Sequence, residues 1–250
     1  MKKTLVATAI FTALPFAAQA DLLFTVGAKA SLWNADPTGQ IDQNLSVEKN
    51  GLNLGSENGQ QFSIFFEHPL PVVPNIKLKS TSLEVDGKGT INAQFADQSF
   101  NETVSSKVDL SHNDLTLYWG LPLPVPALDI NFGLTARQFA GEASVASTTA
   151  AKTESVDLDM TLPMVFGEVK VGPIFGVYAN VDANYVGYND NKLLDWSAAL
   201  GYVLPIPVVD VGLEVGYRSL ALQTDKKDVD IETDLDIKGL TYGLSLAVGF

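Results

Sequence analysis

Apolar residues recur at every second position along most of this chain. Leu22, Phe24, Val26, Ala28, Ala30 and Leu32 alternate with Leu23, Thr25, Gly27, Lys29, Ser31 and Trp33. Leu128, Ile130, Phe132, Leu134 and Ala136 alternate with Asp129, Asn131, Gly133, Thr135 and Arg137. The same rhythm runs from Val169 to Val181 and from Leu194 to Leu204. Successive side chains of a strand point to opposite faces, so each segment has one apolar face and one polar, small or charged face. No helical period is sustained. The pattern predicts ten strands, at 22–33, 60–68, 75–86, 105–119, 127–139, 153–163, 167–182, 193–204, 208–222 and 231–250. In the third, the outward set Ile76, Leu78, Ser80, Ser82 turns polar and the apolar positions shift to Leu83 and Val85, as at a bulge.

The connections alternate in kind. Short, proline-rich ones fall at 69–75, 121–127, 162–167 and 204–209, and long polar ones at 35–59, 86–106, 140–152, 183–191 and 224–232. Proline fixes φ and donates no hydrogen bond, so it stops a ladder and makes a rigid reversal. Short turns at one end and long loops at the other are the layout of a transmembrane β-barrel. The predicted fold is all-β: an antiparallel up-and-down transmembrane β-barrel of ten strands, with eight as the alternative if 75–86 and 105–119 belong to an outside extension. A soluble β-sandwich would also alternate. Aromatics near the strand ends (Trp33, Trp119, Tyr202) favour the barrel, where they form interfacial girdles.

The first twenty residues join Lys2 and Lys3 to an apolar run and end in Ala18-Gln19-Ala20, the form of a cleaved secretory signal. The expected organisation is a signal at 1–20 and one barrel domain at 21–250. Without the signal, 14 basic residues face 29 acidic ones, a net charge of −15. That excludes nucleic acid as a partner, because its phosphates need Lys and Arg. There is no cysteine and there are only two histidines, so neither a Cys-based nor a multi-His metal site is expected, and no cofactor. No stretch after residue 20 has 18 consecutive apolar residues, so no helical span is predicted.

The chain stops at LTYGLSLAVGF, where Tyr242, Leu244, Leu246, Val248 and Phe250 share one face. This terminus resembles the C-terminal signal of Gram-negative outer-membrane barrels. Together with the turn and loop layout, it is similar to the small barrels of the opacity-type and OmpW-like group. The resemblance implies export through the periplasm to the bacterial outer membrane. It also implies contact with outer-membrane lipid and lipopolysaccharide, and handling by the barrel-assembly machinery, which reads those five residues.

By parity the inward face holds Lys29, Glu67, Lys77, Lys79, Asp114, Asp129, Arg137, Asp157, Asp159, Glu168, Lys170, Asp182, Asp195, Asp210, Glu214 and Arg218. Small barrels fill their interior with side chains, and buried charges must be paired, so a salt-bridged plug is one expectation. A narrow, cation-favouring conduit for small solutes, lined by Lys29, Asp129, Arg137, Glu168, Lys170, Asp195, Asp210, Glu214 and Arg218, is the leading functional one. The alternative is a structural or surface-interaction barrel that presents its long loops. The third reading is a hydrolase: His112 and Asp114 share a face, but Ser111 points the other way and no hydrolase motif is present, so no catalytic residue is assigned. Asp225, Asp228, Asp230, Glu232, Asp234 and Asp236 read as a solvated acidic loop without calcium-loop spacing.

Overall fold

The computed structural model describes residues 24–42, 45–204, 206–225 and 232–250. The signal segment, with Leu22 and Leu23, and Asp228 and Asp230 lie outside the described residues. The strands are β1 (Thr25–Ile41), β2 (Leu45–Ser46), β3 (Glu57–Glu67), β4 (Asn75–Ser82), β5 (Glu84–Phe95), β6 (Gln98–Asp109), β7 (His112–Gly120), β8 (Leu128–Phe139), β9 (Glu142–Ser147), β10 (Thr153–Asp157), β11 (Met160–Ile174), β12 (Val177–Tyr188), β13 (Asn191–Leu204), β14 (Asp210–Thr224) and β15 (Thr233–Gly249). Ten of them form a ring in the order β1, β3, β4, β7, β8, β11, β12, β13, β14, β15, and β15 pairs back onto β1. Every pairing is antiparallel. The closing seam runs from Thr25 opposite Gly249 to Ile41 opposite Thr233. Beyond it, Phe24 and Phe250 exchange backbone bonds of 3.0 and 2.9 Å. The fold is thus a closed ten-stranded barrel of the outer-membrane type, with no helix among the described residues.

Outward side chains form a continuous apolar belt: Phe62, Leu134, Val165, Leu200, Leu213 and Leu244 are each about half exposed. Water does not favour such a surface, whereas hydrocarbon does. Trp119 stacks on Phe132 and Tyr202 is 43% exposed, both on this outer face. Trp33 departs from the expected girdle. It is fully buried inside the ring, because its odd position puts it on the face opposite Leu32.

The remaining sheet has the order β10-β9-β6-β5. This repeats the barrel order β11-β8-β7-β4, because each strand continues its barrel partner beyond a bend. Bonds across the bend keep the wall continuous: Leu83 N–H to Ser111 Oγ at 3.1 Å, Leu110 N–H to Leu83 O at 2.8 Å, and Leu158 N–H to Gly141 O at 2.9 Å. Parity is also kept, so Thr81, Leu83 and Val85 all face inward. The inner face changes chemistry at the bend. Below it is polar; above it Leu83, Val85, Val104, Val108, Leu110 and Val145 are buried. They pack in one core with Trp33, Leu45, Val47, Leu52, Leu193, Leu220 and Ile237. A buried Val, Leu or Phe contributes about 1.5–3 kcal/mol, so this core holds the extension over the ring. Segment 51–55 lies directly on β5: a Cβ at Gly87 would meet the carbonyl oxygens of Leu52 and Asn53, and one at Gly89 that of Gly51.

Several expected boundaries change, although the count of ten stands. The shift at Leu83 and Val85 is the bend where β4 leaves the ring, and 86–106 is not a loop but most of the β5–β6 hairpin. Segment 105–119 splits at Leu110 and Ser111, and 153–163 splits between β10 and β11. The expected turn at 162–167 is strand interior. Pro163 is tolerated there because β11 pairs at that point only with β8, and the β12 ladder begins at Val165. The expected strand 167–182 is a hairpin that turns at Phe175 and Gly176. Its parity survives the turn, so the alternation hides it. The expected loop 183–191 is mostly β12, which meets β13 through the two residues Asn189 and Asp190, with Asn189 at φ 52°.

Leu244 lies in the middle of the outward row of β15. Leu244→Arg should cost about 2–4 kcal/mol in urea-driven unfolding from lipid vesicles, the cost of a charge at the bilayer midplane. Ser82→Arg, outward but at the bend, should cost about 0–1 kcal/mol. Equal costs at the two positions would place the bend inside the bilayer.

Candidate functional site

The interior below the bend is the place where this chain concentrates chemistry. Lys29, Glu67, Lys77, Lys79, Asp114, Asp129, Glu168, Lys170, Asp182, Asp210, Glu214 and Arg218 line one cavity of about 690 Å3. Arg137 and Asp195 are buried just above it. Asp157 and Asp159 are not part of it. They are exposed on the outer face, at the end of β10 and beside it, because β10 belongs to the extension, where the apolar Val156 and Leu158 pack inward. Asp129 and Asp210 are exposed at the mouth, which opens among the short turns together with His68, Asn75 and Pro173.

One wall of the cavity is built from small residues, including Ala199, Gly212, Gly243, Ser245 and Ala247 on β13, β14 and β15. The opposite wall carries the long charged and aromatic side chains of β4, β7, β8 and β11. Lys77 bonds to Glu168 at 3.2 Å, and Asn131 donates to the same carboxylate at 2.8 Å. Tyr118 donates to Glu67 at 2.8 Å and Tyr178 donates to Glu214 at 2.6 Å. Lys29 forms an ion pair with Glu214. Lys170 sits over the Tyr178 ring, 5.4 Å from its centre. Parity identified the charged members of these pairs. It also set Tyr178 on the face of Glu168 and Lys170, whereas Tyr118 looks like a belt aromatic until the register shows that it faces inward.

The ceiling of the cavity is a chain of four buried charges. Asp114 accepts from Arg137 Nε at 2.7 Å and from its NH2 at 2.8 Å. Arg137 NH2 also reaches Asp195 at 2.6 Å. Arg218 holds Asp195 in a two-pronged contact of 2.8 and 2.7 Å. Asp114 and Arg137 are direct cross-strand partners on β7 and β8, whereas Asp195 and Arg218 lie on β13 and β14. The Arg137–Asp195 contact therefore crosses the lumen, passing β11 and β12. Lys79 approaches Asp114 at 3.7 Å. Above the layer, the Arg218 guanidinium rests 4.6 Å from the centre of Trp33, where the apolar core begins.

His112 belongs to this ceiling. It is 2% exposed, its Nδ1 pairs with Leu110 O at 2.7 Å, and its Nε2 lies 3.4 Å from Arg218. Ser111 faces the other way and accepts from Leu83. His112 and Ser111 thus each serve the bend and do not pair with one another. His68 closes its own turn, pairing with Pro74 O at 3.2 Å. Around the last loop, Asp236 pairs with Lys238 and accepts from Ser219 at 3.2 Å. No group of three or more His, Cys, Asp or Glu that could hold a metal occurs among the described residues. The five residues of the expected assembly signal all lie on the outer face of β15 and beyond its end, with Phe250 63% exposed and 6.0 Å from Phe24.

Breaking a buried ion network leaves an uncompensated charge, which costs about 3–5 kcal/mol. Asp195→Asn should therefore destabilise the refolded barrel by that amount in urea titration. Asp129→Asn, at the open mouth, should stay within about 0.5 kcal/mol. A small effect of Asp195→Asn would mean that water relieves the ceiling.

No protein family's sequence profile matches this chain, and no curated protein matches it. Solved structures do match in outline. The attachment invasion locus protein Ail of Yersinia pestis, in complex with the heparin analogue sucrose octasulfate, is 10% identical, with 90% of this chain and 99% of that chain covered and a TM-score of 0.33. The TodX deltaS2S3 mutant monoaromatic hydrocarbon channel is 7% identical over 91% of this chain and 90% of that one, with a TM-score of 0.28. The CymD monoaromatic hydrocarbon channel is 8% identical over 91% and 88%, with a TM-score of 0.27. Similarity at this level adds nothing to the ladder, which by itself gives the barrel.

Proposed function

We propose that this protein is an outer-membrane barrel that works at the cell surface through its folded extension, with its lumen closed to through-flow. In this reading the short turns face the periplasm and the bent sheet stands outside. One observation carries the reading: the Asp114–Arg137–Asp195–Arg218 layer spans the ring and is topped by an apolar core with Trp33, Leu83, Leu193, Leu220 and Ile237 at 4% exposure or less. An ion would have to cross both. The extension is also rigid. Ser147 and Thr149 hydroxyls donate to Glu102, and the bond from Ser147, followed by that from Thr149, holds its carboxyl below the usual carboxylate range. Lys107 pairs with Glu84 at 2.7 Å. A rigid platform suits surface interaction better than a disordered loop, because less ordering entropy is lost on binding.

The second reading is a narrow conduit, favoured by the charged cavity of about 690 Å3 that opens at the short-turn end. Single-channel recording of the refolded mature protein in asymmetric potassium chloride separates the two. The expected trace is silent. Reproducible cation-selective steps that shrink in Glu214→Gln would overturn the closed barrel and establish the conduit.

Contact with lipopolysaccharide and handling by the barrel-assembly machinery belong to the same proposal. Phe250 supports the second of these, since its backbone completes the β1–β15 seam and its ring continues the outward row of Tyr242, Leu244, Leu246 and Val248. Deleting Phe250 should reduce insertion into the outer membrane of a Gram-negative host several-fold, scored by heat-modifiable mobility of the folded barrel. Unchanged insertion would remove the terminus from the recognition step.

A further inference from the structure

The four short turns at the open end of the barrel are both apolar and exposed. Segments 69–74, 121–127, 172–177 and 204–209 contain no charged residue. Val72 is 85% exposed, Val125 50%, Phe175 97% and Val208 82%. The nearest charges beyond 121–127 and 204–209 are Asp129 and Asp210, and both line the inner mouth rather than the outer rim. A turn surrounded by water would be expected to carry polar tips. We propose that these turns are immersed in the acyl–headgroup boundary of the leaflet at that end and complete the apolar belt.

The belt needs them. An outer-membrane barrel presents an apolar band about 25 Å tall, on strands tilted about 40° and rising about 3.3 Å per residue. On β15 the outward row runs from Leu240 to Phe250 and reaches about 25 Å at that tilt. On β4 it contains only Ile76 and Leu78 before Ser80, and on β3 it runs only from Phe62 to Phe66. Those strands supply about 5–10 Å. Beneath this short wall hangs the seven-residue turn between β3 and β4. The β11–β12 turn, by contrast, is only Phe175 and Gly176. At β3 and β4 the turn is long where the belt on the strands is short.

The backbone of the turns is also suited to a place without water, where every unsatisfied N–H is costly. Nine of the 12 prolines fall in these four segments of the sequence: Pro69, Pro71, Pro74, Pro122, Pro124, Pro126, Pro205 and Pro207, with Pro173 at the end of β11 beside the β11–β12 turn. Each removes a donor. Among the donors that remain, His68 N–H is bonded to Asn75 Oδ1 at 2.9 Å, Leu70 N–H to His68 Nδ1 at 3.2 Å and Leu121 N–H to Ile130 O at 2.8 Å. The Trp119 indole, on the outer face, donates to Val72 O at 3.1 Å and draws the β3–β4 turn against the belt.

The inference rests on the reading of the chain as a membrane barrel, and one experiment separates the two. The protein has no cysteine, so single cysteines at Val72, Val125, Phe175 and Val208 can each carry a nitroxide. Leu244 serves as a belt reference and Lys88 as a reference in the extension. In dilauroyl phosphatidylcholine vesicles, the four turn labels should relax with oxygen and resist a water-soluble nickel chelate, as Leu244 does. Turn labels that follow Lys88 instead would overturn the proposal while leaving the barrel in the membrane. Labels shielded from both reagents would also overturn it, since a protein surface or a second copy would then cover the turns. Nickel access at Leu244 as well would overturn the membrane reading itself.

Discussion

A strand inside hydrocarbon must satisfy its backbone with other strands, because there is no water to do so. Everything in this protein follows from that constraint. It requires the ring to close, which β1 and β15 do along fifteen paired positions from Thr25 to Ile41. A closed ring has only two faces, and the bilayer claims one of them. The other is left for polar side chains, which gives the barrel its charged interior. Where the wall rises out of the bilayer the demand reverses: the outward positions of β4 become Ser80 and Ser82, and the inward ones become Leu83 and Val85. The same exchange occurs on β1 between Leu32 and Trp33, and on β14 between Tyr217 and Leu220. Membrane barrel and water-soluble extension are one bent wall whose faces trade roles at a single level.

The charged ceiling stands directly beneath that exchange. Replacing buried ion pairs with apolar residues is often neutral or stabilising in general, so their stability contribution alone does not explain them. Register does. A slip of one residue turns a strand's entire set of side chains to the other face. With Asp114, Arg137, Asp195 and Arg218 inside, such a slip would put four charges into lipid. The network therefore specifies which face is inward on β7, β8, β13 and β14, and the contact between Arg137 and Asp195 ties the two halves of the ring across the lumen.

Much of this was legible in the alternation. Period two located the wall, and its parity separated Lys29, Lys77, Glu168 and Glu214 from the belt. What parity could not supply was anything that depends on a neighbour. Pro163 looks like a turn until its single-sided pairing is known, and Phe175-Gly176 is invisible because the register shift between Val171 and Ile174 restores the odd–even count that the two-residue reversal changes. The extension escaped notice because β5, β6 and β9 are rich in Ser, Thr, Asn and Gly, which resemble a loop. Asp157 and Asp159 were misplaced because the faces trade roles above the bend: the apolar Val156 and Leu158 pack inward there and leave the aspartates on the outer face. Partners across the lumen, such as residues 137 and 195, are 58 positions apart and share no ladder.

With the lumen closed as proposed, the cavity also shapes the electric field through the protein. Its lower half opens to solvent through a charged mouth, so it follows the potential of the compartment on that side. A voltage imposed across the bilayer therefore falls almost entirely over the closed upper part, where Arg137, Asp195 and Arg218 are stacked under Trp33. Focused in this way, 100 mV acts on each elementary charge with about 2.3 kcal/mol across the full drop. The two arginines and two aspartates of the layer carry opposite signs, so the field pulls them in opposite directions. The ceiling is in this sense a voltage-balanced septum.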